Sequence, residues 1–290
     1  MAKEALTRFI QHQVRAAGAS GVVLGLSGGI DSALVATLCA LALGRDAVLG
    51  LVLPGPRSQE TDRRDAIALA GHLGVHIEEL PLAALVEAYA GLGPSGGPRR
   101  EGNFTARLRM ALLYDRSARD GSLVAGTGNK TEILLGYTTL WGDMAAAFAP
   151  LGDLYKTQVC ELAAFLNVPA AICERAPSAG LWAGQSDEEE LGATYDRLDA
   201  LLYHYVDLRY DLRDLVAAGF DEAFARSTVA RVHAHEFKRR MPLVAKLSAR
   251  TVGHDFLYPR HWSGPPSVET PSGAAATKDS DDPTSRPRGL

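Results

Sequence analysis

The sequence is poor in cysteine and in long apolar runs. Its three cysteines, Cys39, Cys160 and Cys173, lie far apart and form no CxxC pair, which is a weak basis for a disulfide framework or a zinc site. We therefore expect free thiols in a reducing compartment. Every apolar run is shorter than the ~18 residues of a membrane span, and no signal peptide is evident. These absences favour a cytoplasmic protein without membrane contact.

An excess of positive charge is also absent. Lys and Arg number 30 against 34 Asp and Glu, which gives a formal net charge of −4. A chain whose main task is to bind nucleic acid through a basic face usually has the opposite balance, so we expect no nucleic-acid partner. The hydrophobic share of 47% is ordinary for a globular protein and excludes wholesale disorder.

Short apolar segments alternate with helical patterns along the first part of the chain. The predicted strands are 22–26, 47–53, 75–80 and 122–125. The predicted helices around them are 4–17, 32–43, 62–73, 105–119 and 156–166. This alternation is typical of βαβ units and predicts an α/β fold with a doubly wound, mostly parallel sheet and helices on both faces.

The C-terminal part has a different character. Glycine and proline at 91–102 first predict a loop. From 187 onward the pattern is helical, with helices predicted at 187–191, 194–206, 211–218 and 221–238. Asp187–Glu190 are expected to be first-turn charges without a chemical role. Residues 263–290 contain almost no bulky apolar side chain, so we expect one domain over 1–262 and a disordered tail over 263–290.

The most specific feature lies between the first predicted strand and the helix that follows it. It has the sequence Gly25-Leu26-Ser27-Gly28-Gly29-Ile30-Asp31-Ser32. Adjacent glycines let backbone N–H groups approach phosphate oxygens closely, and the following helix adds its positive N-terminal end. The carboxylate of Asp31 repels phosphates unless it holds a cation such as Mg²⁺. The segment therefore predicts a metal-assisted phosphate site.

This loop matches neither GxxxxGK[ST] nor GxGxxG. The string SGGxDS after a strand resembles the pyrophosphate loop of the N-type ATP pyrophosphatases, which cleave ATP between its α and β phosphates. Segments farther along resemble one family of that class, the NAD synthetases; they are 103–110, 126–132, 152–158, 177–192 and 237–242. The resemblance covers about 4–262 and implies the adenine nucleotide α-hydrolase-like form of the doubly wound fold.

The resemblance also implies a reaction, in which ATP, deamido-NAD and ammonia give NAD, AMP and pyrophosphate. The nicotinate carboxylate attacks the α-phosphate to form an NAD-adenylate, and ammonia then displaces AMP. The family is homodimeric, and this is implied here as well. The residue types suit the chemistry, because pyrophosphate departure needs positive charge at the developing oxyanions and backbone N–H groups, Mg²⁺ and Lys156 are able to supply it.

Positions that match the family motifs imply a set of site residues. ATP contacts fall on all eight loop residues and on Thr127, Lys156 and Ser178, and deamido-NAD contacts fall on Arg107, Phe237 and Lys238. Asp31 and Glu132 are expected to be the Mg²⁺ ligands, both from their chemistry and from their positions. Asp31 and Lys156 are the expected catalytic pair. Leu140 and Ala147 stand where some members carry a lysine and an aspartate that contact deamido-NAD.

Two further expectations concern the nitrogen donor and the competing functions. Only 24 residues precede Gly25, so we expect free ammonia as donor and no glutaminase domain; a separate glutaminase subunit is not indicated. One alternative is another adenylating amidotransferase or a tRNA-modifying ATP pyrophosphatase, which the cysteine spacing and net charge disfavour. A second is a nucleotide-binding regulator without turnover, which Asp31, Glu132 and Lys156 disfavour.

Overall fold

Four apolar strands form one parallel sheet in the computed structural model, which describes residues 1–93, 96–175 and 187–253. The strands are β1 Val22–Gly25, β2 Val48–Val52, β3 His76–Glu79 and β4 Leu123–Val124. Their spatial order is β3-β2-β1-β4. Each predicted strand is present but shorter than its apolar run, because the hydrogen-bonded ladder stops before the apolar side chains do.

Helices connect and cover the strands. In chain order they are α1 Ala2–Ala16, α2 Ile30–Leu43, α3 Glu60–Leu73, α4 Ala83–Ala90, α5 Pro98–Asp120, α6 Lys130–Leu135, α7 Lys156–Phe165, α8 Ala170–Cys173, α9 Asp187–Leu191, α10 Tyr195–Leu202, α11 Leu212–Ala217 and α12 Glu222–Ala234. Short 3-10 turns lie at 45–47 and 236–239, and a π-helical turn lies at 203–207. None of the helices in the described ranges is long and apolar enough to cross a membrane.

The sheet is covered on both faces, which confirms the predicted doubly wound architecture. Successive side chains of a strand point to opposite faces, and in β1 the side chains of Val22 and Leu24 join one core cluster while Val23 joins another. The first cluster includes apolar residues of α1, α2, α3 and α7. The second includes apolar residues of α4 and α5.

β1 is the strand at which the winding direction of the chain changes. After β1 the chain adds β2 and β3 on one side, and it later adds β4 on the other side. Val22 accordingly pairs with Val48 of β2 and with Leu123 of β4. Ligands of doubly wound proteins bind at the carboxyl ends of the strands where the strand order reverses. The fold therefore brings the loops after β1 and β4 to one crevice.

The C-terminal part of the first unit is helical, as expected. The chain consists of two compact units, residues 1–240 and residues 241–290. Helices α10 and α12 of the first unit pack with α6 around the buried side chains of Leu135, Leu198 and Val232. Of the second unit, residues 241–253 are described and contain no helix. The predicted tail at 263–290 lies outside the described residues, so this prediction and the 1–262 domain boundary stay untested.

Several predicted boundaries are wrong. The loop expected at 91–102 ends early, because α5 begins at Pro98, whose fixed φ suits the first turn of a helix. The helix expected over 221–238 stops at Ala234, and the helix expected over 194–206 gives way to the π-helical turn after Leu202. Helices α4, α6 and α8 were not predicted, since four to eight residues carry too little periodicity to reveal a helix.

The core prediction concerns α2, the apolar helix behind β1. Leu38 is fully buried and Leu41, one turn later, is 52% exposed. Replacing Leu38 with Ala leaves a cavity, and we expect the free energy of unfolding to fall by about 2–5 kcal/mol. Leu41→Ala is the matched control and should change it by less than ~0.5 kcal/mol. Urea unfolding of the two variants measures the difference, and equal losses would contradict this packing.

Candidate active site

The glycine loop is a tight turn between β1 and α2 that its own serines stabilise. The hydroxyl of Ser27 lies 3.1 Å from that of Ser32, and Gly29 donates its N–H to Ser27 Oγ at 3.2 Å. Ser32 in turn donates to the carbonyl of Gly29 at 2.9 Å. No side chain caps the N-terminus of α2, whose first N–H groups lack intrahelical acceptors. The turn and the helix start therefore present backbone donors to an anion.

Gly28 is required by the geometry of this turn. Its φ is +79°, and a Cβ atom built there lies 2.2 Å from the carbonyl oxygen of Asp62 at the start of α3. A residue with a side chain is thus excluded by strain and by contact with backbone. The guanidinium of Arg175 links Asp62 to the loop, since it lies 2.7 Å from Asp62 Oδ1 and 3.5 Å from the carbonyl oxygen of Gly28. The start of α3 consequently packs against the glycine loop and supports it at Gly28.

The loop after β4 meets the glycine loop, as the switch point requires. Asn129 is the N-cap of α6, and its side-chain oxygen accepts from the N–H of Glu132 at 3.0 Å. The Glu132 carboxylate accepts from the N–H of Asn129 at 3.1 Å, which completes a capping box. The amide nitrogen of Asn129 donates to Asp31 Oδ1 at 2.9 Å. Asn129 therefore joins the two carboxylates expected to act together, since its side-chain amide donates to Asp31 and its backbone N–H donates to Glu132.

Asp31, Glu132 and Lys156 form a buried charge cluster. The Nζ atom of Lys156 donates to Asp31 Oδ2 and lies 4.0 Å from Glu132 Oε1. Only 4% of the Lys156 side chain is exposed, against 18% for each carboxylate. The structure thus brings together three predicted site residues that lie in separate parts of the sequence. Two carboxylates and one ammonium leave the cluster with an excess of negative charge.

The electrostatics of the cluster follow from its burial. Burial, followed by the negative charge of Asp31, raises the pKa of Glu132. Burial opposes the charged form of Lys156, but the charges of Asp31 and Glu132 outweigh it and raise the pKa of the lysine. A divalent cation beside Asp31 and Glu132 relieves their mutual repulsion. The cluster is therefore suited to bind a hard cation together with anionic oxygens.

A carboxylate on α10 fixes the two helices that carry this cluster. Asp199 is 5% exposed, and its two oxygens accept from the hydroxyl of Thr131 at 2.6 Å and from the N–H of Thr157 at 2.8 Å. Thr131 also accepts from the N–H of Lys156 at 3.1 Å. Because Thr131 precedes Glu132 and Thr157 follows Lys156, Asp199 sets the distance between the first turns of α6 and α7. The sequence did not indicate this role.

Asp187 lies in the first turn of α9, as expected, but its burial was not predicted. It is 3% exposed and accepts from the hydroxyls of Tyr137 at 2.9 Å and Tyr195 at 3.1 Å. Burial and then the Asp187 carboxylate raise the pKa of Tyr137. The ammonium of Lys156 lies 5.5 Å from the centroid of the Tyr195 ring. Asp187 is thus part of the wall of the cluster, a role that a run of four acidic residues conceals.

The remaining predicted site residues are not part of the charge cluster. Thr127 is half-buried in the loop after β4. Arg107 is exposed on α5 and donates from Nε to the carbonyl of Leu140 at 3.2 Å. Phe237 is 56% exposed. Lys238 donates from Nζ to two backbone carbonyls near the end of α6. Ser178 lies outside the described residues.

The parallel sheet with a glycine loop at its switch point places this chain among the nucleotide-binding α/β proteins. A family model for NAD synthase matches residues 2–242. The chain belongs to the NAD synthase family, whose members are ligases.

Individual relatives agree with this assignment. The NH(3)-dependent NAD(+) synthetase of Pelodictyon phaeoclathratiforme is 48% identical over 262 residues, which are 90% of this chain and 95% of that protein. The structure of the NH3-dependent NAD synthetase from Campylobacter jejuni superposes with a TM-score of 0.72 at 34% identity, covering 84% of this chain and 97% of that one. The structure of an NMN synthetase from Francisella tularensis gives 0.75 at 33% identity, covering 85% and 98%.

Gly28 provides a direct test of the loop. In Gly28→Ala, the left-handed φ and the contact with Asp62 cost ~1–3 kcal/mol of strain, and we expect affinity for an ATP analogue to fall about tenfold or more. Isothermal titration calorimetry measures this. Gly71→Ala is the control, because no atom lies within 4 Å of its Cβ position and it should bind normally. Unchanged affinity of Gly28→Ala for the ATP analogue would show that this turn is not part of the nucleotide site.

Proposed function

We propose that this chain makes NAD by ATP-dependent amidation of deamido-NAD with ammonia, through an NAD-adenylate, and releases AMP and pyrophosphate. The observation that carries the proposal is the buried cluster of Asp31, Glu132 and Lys156 beside the glycine loop, in a member of the NAD synthase family. A protein that only binds a nucleotide has no need of two carboxylates and an ammonium at this place.

The chemistry requires activation of a carboxylate. The nicotinate carboxylate is a poor electrophile, so its oxygen first attacks the α-phosphorus of ATP, and the bond from that phosphorus to the bridging oxygen of pyrophosphate breaks. Ammonia then attacks the activated carbonyl carbon. The bond to AMP breaks, and the nitrogen loses a proton to give the amide. Both steps develop negative charge on phosphate oxygens, which the site has to stabilise.

The glycine loop and Lys156 are suited to hold the triphosphate. The first turn of α2 has no side-chain cap, so its backbone N–H groups are able to donate to phosphate oxygens, and Ser27 and Ser32 add hydroxyls. The ammonium of Lys156 stabilises the developing charge on the leaving pyrophosphate. Its contact with Asp31 fixes its position before the substrate arrives, which lowers the cost of orienting it. Thr127 and Ser178 complete the proposed ATP contacts.

The carboxylates of Asp31 and Glu132 fit Mg²⁺. Hard oxygen donors are the ligands of this ion, which commonly uses one or two carboxylates and takes the rest from phosphates and water. Within the described ranges no group of three or more His, Cys, Asp or Glu is placed to hold a metal. When bound, Mg²⁺ neutralises charge on the reacting phosphates.

The deamido-NAD side of the site rests on Arg107, Phe237 and Lys238. A guanidinium at Arg107 is suited to the anionic groups of a dinucleotide, and the exposed ring of Phe237 offers an apolar face. We further propose a homodimer in the cytoplasm. Leu140 and Ala147 leave the nicotinate end to other groups, and the carbonyl of Leu140 is already engaged by Arg107.

A product assay with ATP, Mg²⁺, deamido-NAD and ammonium tests the reaction. We expect NAD, AMP and pyrophosphate in equal amounts, because the inner linkage of ATP is cleaved. Glutamine in place of ammonium should support much less NAD formation. Nicotinate mononucleotide should be a poorer substrate than deamido-NAD. Release of ADP, or equal efficiency with glutamine, would contradict the proposal.

Asp31→Asn tests the metal role. The substitution keeps the shape of the side chain and removes its charge, so we expect kcat to fall by roughly 100-fold or more, since a bound metal contributes several kcal/mol to transition-state stabilisation. Affinity for ATP should change far less. Asp46→Asn is the control, because that side chain is 86% exposed and remote from the loop in sequence. Unchanged turnover in Asp31→Asn would remove it from the site.

A further inference from the structure

Helix α6 is too short to hold its own position. It has six residues, and a helix of this length is unstable in isolation. The last carbonyl groups of a helix lack intrahelical partners. In α6 the carbonyl of Glu132 accepts from the N–H of Tyr137 at 2.9 Å and that of Ile133 accepts from the N–H of Gly136 at 3.4 Å, but the carbonyls of Leu134 and Leu135 need other donors.

Three cationic side chains from the end of α12 and the 3-10 turn after it supply these donors. Arg239 donates from Nη1 to the carbonyls of Ile133 at 3.2 Å and Leu134 at 2.8 Å. The other two are Arg231, whose Nε lies 3.2 Å from the carbonyl of Leu135, and Lys238, whose Nζ lies 2.7 Å and 2.6 Å from the carbonyls of Gly136 and Thr138. Positive charge at a helix C-terminus is favourable.

Arg239, which lies in the 3-10 turn at 236–239, is the member of this set that also donates to the preceding helix α12. Its Nη2 donates to the carbonyl of Val232 in α12 at 2.8 Å, so one planar guanidinium joins the ends of α12 and α6. The two backbones are in close contact, because a Cβ atom built on Gly136 lies 2.3 Å from the Cβ of His235. The end of α6 is therefore held in one place by directed hydrogen bonds and by packing.

The opposite end of α6 carries the proposed metal ligand. The capping box of Asn129 and Glu132 makes the first turn of α6 and its carboxylate one unit, and Asn129 connects that unit to Asp31. Because α6 spans only six residues, a shift of its C-terminal end moves Glu132 relative to Asp31. Groups that orient metal ligands affect metal affinity although they never touch the ion.

We propose that Arg239 is a positioning residue for Glu132, acting through the C-terminal end of α6. The inference rests on the proposed metal role of Glu132. In the basic segment 237–240, Phe237 and Lys238 are the residues proposed to contact the dinucleotide, and Arg239 is assigned a different function. Arg240 has neither function, since it is 64% exposed and pairs with Glu236.

The test measures metal binding rather than turnover alone. Mn²⁺ is titrated into the full chain with α,β-methylene-ATP, and free Mn²⁺ is followed by electron paramagnetic resonance. We expect Arg239→Ala to weaken Mn²⁺ binding by about tenfold, a typical effect of losing a group that orients a ligand. Arg240→Ala should bind Mn²⁺ as the wild type does. The KM for deamido-NAD should stay near the wild-type value in both variants, while kcat falls in Arg239→Ala.

A double-mutant cycle shows whether the effect passes through Glu132. In a Glu132→Gln background, Arg239→Ala should cause no further loss of Mn²⁺ affinity, since the group it positions is already changed. Circular dichroism checks folding; should Arg239→Ala fail to fold, Arg239→Gln takes its place, because it keeps one donor group and much of the packing, and weaker Mn²⁺ binding is again expected.

The outcomes separate this inference from the function on which it rests. Wild-type Mn²⁺ affinity in a folded Arg239 variant, or an equal loss in the Glu132→Gln background, would overturn the positioning role. A raised KM for deamido-NAD with unchanged Mn²⁺ affinity would assign Arg239 to the substrate instead. Failure of the wild-type chain to bind Mn²⁺ with the analogue would overturn the metal site itself, and the inference with it.

Discussion

The contact between the Asp31 carboxylate and the Lys156 ammonium is the interaction on which the site depends. It joins residues 125 positions apart, one at the start of α2 and one at the start of α7. Burial of either charge without a partner costs several kcal/mol, so neither group is stable in this place unless both helices start there. The contact therefore requires the loops after β1 and β4 and the start of α7 to converge, and the doubly wound sheet provides that convergence at its switch point.

Groups with no proposed contact to the substrate make this convergence rigid. Asn129 ties the glycine loop to α6, and Asp199 ties α6 to α7 through two threonine contacts. Asp187 joins Tyr137 to Tyr195 by accepting from both hydroxyls, and the ring of Tyr195 lies beside Lys156. Each of these buried polar groups is satisfied by at least two hydrogen bonds, and fully satisfied networks of this kind hold one arrangement in preference to others. The preorganised position of the charges is what electrostatic catalysis requires.

The basic segment near residue 238 is hydrogen-bonded to the same framework. Its family position implies contact with deamido-NAD, while its hydrogen bonds lie on the carbonyls that end α6. The two roles are compatible, because the lysine and the arginine face a helix that borders the crevice. A short helix with a proposed metal ligand in its first turn and cations at its end is a compact means of fixing a carboxylate. It also explains why a segment so late in the chain belongs to a site built on the first strand.

The sequence by itself determined the alternation of strands and helices and the glycine loop with Asp31, because local periodicity and a short motif express them directly. Glu132 and Lys156 were implied by the resemblance of their segments to the NAD synthetases. The sequence determined neither where α5 begins nor the existence of α6, since six residues carry no usable period. Only the tertiary structure shows the hydrogen bonds that Asn129, Asp187, Asp199 and Arg239 make. Their partners are remote in sequence or are backbone carbonyls, and a hydrogen bond to a distant group leaves no pattern among neighbouring residues. Motifs in the sequence indicate the groups proposed to act on a substrate, whereas the groups that hold them in place become visible only when the chain is folded.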